Sequence, residues 1–149
     1  MGKINYGRVI LGGIVGGIVA GTLDWLVNGV WLGQSWADNV KFLHHPDAFS
    51  APGFLFYMYL IVIAGGILAT WMYAAIRPRY GAGVRTAVYA GLVTWALSIL
   101  LPNVWLGYLT GIFGRRVTLY STLGGIVEVV VGTIVGAALY KEAESTPTG

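Results

Sequence analysis

Two acidic residues stand where a membrane segment should have none. Glu128 lies near the middle of the apolar run Val117–Tyr140, and Asp24 lies in the second half of Val9–Leu32. An ionisable side chain at mid-membrane costs on the order of 3 kcal/mol or more. Both acids sit on ridges of small residues spaced by four. Glu128 aligns with Gly124, Gly132 and Gly136, and Asp24 aligns with Gly12, Gly16, Ala20 and Asn28. Four-residue spacing puts each set on one helix face, turned toward another helix. At about 1.5 Å per residue, the acids fall within roughly 6 Å of each other in depth. Such a pair can hold a proton or a cation, or ligate a cofactor. The plainer reading is a neutral carboxyl hydrogen-bonded to a neighbouring helix, a contact worth about 0.6 kcal/mol in membranes.

Other candidates are weaker. Asn103 follows Pro102 near the outer end of the third run, where the proline marks a helix end or a discontinuity of the kind transporters use. His44 and His45, with Asp47, offer imidazoles to a metal or to the central ion of a tetrapyrrole. Adjacent histidines chelate one ion poorly, and a polar exit from an interfacial helix explains them equally. The chain holds no cysteine and no Walker loop, dinucleotide fingerprint, HExxH or GxSxG element. Ser35, Ser50, Ser98 and Ser121 have no nucleophile context. Catalysis is therefore not expected, and no cofactor is strongly implied.

The elements that position these residues follow from composition. Of 149 residues, 56% are hydrophobic and 10% charged, against about 25% charged in soluble domains. A spanning helix needs about 20 apolar residues. Four runs qualify, at 9–32, 53–76, 86–106 and 117–140, and the first is read as retained, not as a cleaved signal. The expectation is an all-α, membrane-embedded four-helix bundle forming a single domain, with a polar, disordered tail at 141–149. Within Leu11–Gly21, the adjacent ridges Gly12, Gly16, Ala20 and Gly13, Gly17, Gly21 invite close approach by another helix. Gly124, Gly132 and Gly136 do the same on the fourth run.

Lys3, Arg8, Arg77, Arg79, Arg85 and Lys141 fall on one side, six in all; Lys41, Arg115 and Arg116 fall on the other. Six against three predicts both termini in the cytoplasm. In the first outer connection, Ser35 and Asp38 resemble a capping box, and Trp36, Val40 and Leu43 recur at helical spacing. They predict a short interfacial helix ended by His45-Pro46. Pro78 and Gly81 are expected to break the helix in the basic turn 77–85. A weak duplication also shows. Ala20-Gly21 and Trp25 match Ala90-Gly91 and Trp95, and Val30–Gly33 matches Val104–Gly107. Gly65, Ala69 and Tyr73 match Gly132, Gly136 and Tyr140, which suggests two hairpins related by an axis along the membrane normal.

The layout, with Gly33–Trp36 after the first span and WMYAAIRPRYGAGVRTAVYAGL joining the second and third, resembles small uncharacterised four-helix bacterial membrane proteins. The resemblance implies a bacterial inner membrane and no particular chemistry. The abundance of glycine favours an accessory subunit packing against other integral membrane subunits, or against itself, among lipids and without nucleic acid. The alternative is a small proton- or cation-coupled transporter or channel centred on Glu128 and Asp24. A third reading is a pigment- or haem-contacting subunit.

Overall fold

The structure is a computed structural model that describes residues 3–143, so residues 144–149 of the expected tail lie outside the described residues. Every regular element among the described residues is helical. They are α1 (Tyr6–Asp24), α2 (Gly33–Phe42), α3 (Phe54–Tyr80), α4 (Val84–Trp95), α5 (Leu101–Asn103) and α6 (Arg115–Leu139), with a 3-10 turn at Ala48–Ser50. Three stretches are π-helical: Trp25–Trp31, Ala96–Leu100 and Val104–Leu109. Continuous helix gives four segments long and apolar enough to cross a membrane: Tyr6–Trp31, Phe54–Tyr80, Val84–Leu109 and Arg115–Leu139. The chain is a four-helix bundle with multi-pass membrane character.

Several boundaries differ from the sequence reading. Pro78 does not break its helix; it sits in the last turn of α3, where few downstream bonds remain to be lost. The turn shrinks to residues 81–83, with Gly81 at φ 85° and Thr86 Oγ1 donating to the Gly81 carbonyl at 2.7 Å. Pro102 does not end the third span either. Its ring crowds the carbonyl four residues back, which belongs to Ser98 inside a π-helical turn. Bonds that run to i+5 widen that turn and let the helix direction survive.

The long helices form a ring in chain order. α1 packs on α3 and α6, and α4 packs on the same two. The glycine ridges of α1 are occupied inside this ring. A Cβ added to Gly12 or Gly16 would strike the carbonyls of Gly136 or Gly132 on α6, and one on Gly13 would strike Ile67 of α3. One on Gly17 would lie 2.6 Å from Ile63 Cα. Backbone meets backbone, as small residues permit in lipid.

At the end of the bundle that carries the described termini, Tyr73 and Tyr140 are buried edge to face, ring centroids 6.0 Å apart. The Tyr73 hydroxyl accepts from the Gly83 amide at 3.2 Å, and the Tyr140 hydroxyl accepts from the Asn5 amide at 3.4 Å. Asn5 and Gly83 are the N-caps of α1 and α4. The tyrosines that align in the duplication therefore cap, reciprocally, the helices that align in it. Ala143 N–H also donates to the Lys3 carbonyl at 3.3 Å.

Candidate functional site

The packing of α1 on α6 sets the level of both acids. With Gly12 opposite Gly136 and Gly16 opposite Gly132, the antiparallel register continues to Ala20 opposite Glu128 and Asp24 opposite Gly124. Helical side chains lean toward their own N-terminus. Glu128 accordingly reaches back along α6, its Oε1 only 3.2 Å from where a Gly124 Cβ would stand. Glycine at 124 leaves that path open and admits Val27 from the first span. The acids predicted to lie at similar depth thus line one cavity, of about 640 Å³.

α1 gives way to π-helix one residue past Asp24, and α4 does so one residue past Trp95. The matching tryptophans mark the same change of helix type in both halves. π turns recur where helices are reshaped around a site. Here they carry Asn28 and Ser98 into the cavity lining. Asn28 Nδ2 donates to Asp24 Oδ1 at 2.9 Å, and Trp36 Nε1 donates to Asn28 Oδ1 at 3.1 Å. This relay fixes one carboxylate oxygen of Asp24. On the opposite wall, Asn103 Nδ2 donates to Ser121 Oγ at 3.2 Å and Thr122 Oγ1 at 2.8 Å, and Trp95 Nε1 donates to the Thr122 carbonyl at 2.9 Å. Glu128 is only 3% exposed, and its Oε1 has no hydrogen-bond partner among the described residues. A buried polar atom without a partner costs about 1–3 kcal/mol. The helix-to-helix bond expected of a purely structural carboxyl is missing at that atom.

Trp36, Trp95, Ser121 and Thr122 were not among the residues singled out from sequence as a site. Trp36 falls on the apolar face of the interfacial helix by its spacing, yet its ring is half-buried and its N–H is spent on Asn28. No spacing in the sequence signals this contact, which depends on the bend at Leu32 between the two helical stretches. α2 itself forms without the predicted capping box. It starts at Gly33 with no side-chain cap, and Asp38 accepts from Gln34 Nε2 at 2.9 Å instead. The Leu32 carbonyl accepts from Trp36 N at 2.9 Å, the first bond of the helix. Buried Asn39 pins α2 to the bundle, its Oδ1 accepting from Gly114 N, the N-cap of α6, at 2.8 Å.

His44 and His45 are exposed and do not reach the cavity. α2 ends at Phe42, just before a left-handed turn: His44 has φ 60°, with its N–H on the Lys41 carbonyl at 3.0 Å and that of His45 on Val40 at 2.8 Å. That pair of bonds is a Schellman motif, so His44 serves as a helix stop through its backbone. No group of three His, Cys, Asp or Glu residues placed to hold a metal ion occurs among the described residues. Of the packing residues, Gly21 lies against Tyr59 and Gly132 against Ala20 as well as Gly16.

No family model, curated protein or solved structure matches the chain.

Proposed function

We propose that the chain is a small membrane transport protein that takes up a proton or cation at Glu128 and Asp24. One observation carries this reading: a carboxyl on a residue only 3% exposed, whose Oε1 has no partner among the described residues, at a cavity shared with a second carboxyl. Buried polar groups are otherwise almost always satisfied, and intramembrane acids mark ion and proton paths. The activity is binding and passage, not catalysis. The bilayer in question is a bacterial inner membrane, with the six-cation end holding both termini in the cytoplasm.

The reading as an accessory subunit, with partner subunits or a second copy against its surface, rested on surplus glycine. The α1 ridges are filled by α3 and α6, which removes that argument and leaves the broad apolar exterior, equally suited to lipid. Pigment or haem contact has only His44 and His45 in its support.

The test is flux in reconstituted vesicles. Glu128→Gln keeps shape and should fold as the parent does, yet abolish a proton- or cation-dependent signal. Unchanged flux in that variant, or co-purification of the native chain with a stoichiometric partner and no flux, would defeat the transport reading.

A further inference from the structure

We infer that the cargo of this site is a hydrophobic organic cation, an ammonium or phosphonium carried on an apolar body, with its charge between Asp24 and Glu128 and its body against aromatic rings. This rests on the reading of the cavity as a cation site and specifies its ligand.

Size is the first argument. A cavity of about 640 Å³ falls in the range of roughly 300–1,000 Å³ typical of small-molecule sites. A water-sized ion needs far less, since a water takes about 30 Å³. A second cavity of about 660 Å³ adjoins it, sharing Asp24, Phe54 and Met58. Asp24 thus has ligand-sized space on two sides.

Chemistry is the second. No group of three His, Cys, Asp or Glu residues placed for a metal ion occurs among the described residues, and two of the cavity's amides are engaged, Asn28 with Asp24 and Trp36, Asn103 with Ser121 and Thr122. The lining instead combines acids with rings. Trp25, Trp36, Phe49 and Phe54 all face the cavity. Trp36 meets Phe49 with centroids 6.1 Å apart, and Phe49 meets Phe54 at 5.4 Å, both edge to face. Because the Trp36 N–H is committed to Asn28, the ring contributes its face and not its donor. Aromatic faces attract diffuse cations, most strongly when water is excluded. A carboxylate alone would favour any cation; carboxylates beside rings select one with an apolar body.

The third argument is the orphaned oxygen. Glu128 is nine-tenths buried or more and its Oε1 is unpartnered among the described residues. Either a proton or the cargo's positive charge would satisfy that carboxyl, so the two compete. Asp24 and Glu128 are the acids that line the first cavity, and among the described residues no basic one lines it.

The experiment is equilibrium binding of radiolabelled tetraphenylphosphonium to the full chain in detergent. Saturable binding at one site per chain is expected, weakening as pH falls. Glu128→Gln should lower affinity at least tenfold while melting at or above the parent's temperature. Trp36→Phe keeps a ring and should retain binding, whereas Trp36→Ala should lose it. Tetraphenylborate, of the same shape and opposite charge, should not bind. Equal binding of the borate, or full binding by Glu128→Gln, would overturn the inference by showing mere apolar partitioning. If the phosphonium fails to bind while Glu128→Gln still abolishes proton or inorganic-cation flux in vesicles, the organic cargo is wrong and the site stands. Failure of both removes the site as well.

Discussion

Glu128 joins two demands that conflict. Its burial on the α1–α6 seam helps pack the bundle, and its unpaired Oε1 works against the bundle's stability. Removing an unsatisfied buried polar atom relieves about 1–3 kcal/mol, and functional sites commonly store such costs. Glu128→Leu should therefore leave the chain as stable or more stable, by about 1 kcal/mol in thermal unfolding in detergent, while ending cation binding. A drop of several kcal/mol would identify the carboxyl as structural. The acid itself was legible in the sequence, because carboxyls are conspicuous in apolar runs. Its partners were not. Trp36 reaches Asn28 only because the chain turns sharply between the first span and α2, and Asn103 reaches Ser121 and Thr122 only across a helix interface. Neither contact leaves a local trace.

At the scale of elements, small-residue spacing correctly marks faces of close approach, and hydropathy marks the four spans. It does not say whose helix will fill each face. The sequence alone leaves the α1 ridges to an unspecified neighbouring helix; the structure gives them to Gly132, Gly136, Ile63 and Ile67 of the same chain. Gly16→Leu should thus unfold or severely destabilise the isolated monomer, by on the order of 3 kcal/mol or more, since overpacking here meets backbone. Leu26→Ile, at a 47%-exposed position, should change thermal stability by less than about 0.5 kcal/mol. Equal tolerance in monodisperse protein would mean the ridge does not face these helices. The π-helical stretches were beyond sequence reasoning, apart from the hint of Pro102. Each is one hydrogen-bond register away from α-helix, and tertiary packing, not local propensity, selects between them.

For the whole molecule, the reciprocal tyrosine caps support the duplication read from weak sequence matches. If the halves are equivalent there, Tyr73→Phe and Tyr140→Phe each remove one hydrogen bond and should cost similar amounts, about 1 kcal/mol. A large inequality in thermal denaturation would argue that the match is fortuitous. The acids break the equivalence: Asp24 and Glu128 correspond to Thr94 and Ile61 under the same alignment. Orientation is a separate matter. The Lys and Arg bias predicts that Ser50→Cys is labelled by an impermeant thiol reagent outside intact cells and that Ser145→Cys is not. The reverse pattern would invert the assignment.

The tyrosine caps also bear on leakage. The cavities described above lie at the α2 end, whereas at the other end glycine lets backbones touch and the two hydroxyls hold the starts of α1 and α4. If the chain transports as proposed, a cargo that enters beside α2 stays in a cul-de-sac until that latch opens. Two bonds at about 1 kcal/mol each bias the latch shut by roughly thirtyfold from their own contribution. Loosening them raises the fraction of chains open at the wrong end. In vesicles, the Tyr73→Phe, Tyr140→Phe double variant should then pass cation faster and less selectively than the parent, a gain in rate bought with lost tightness.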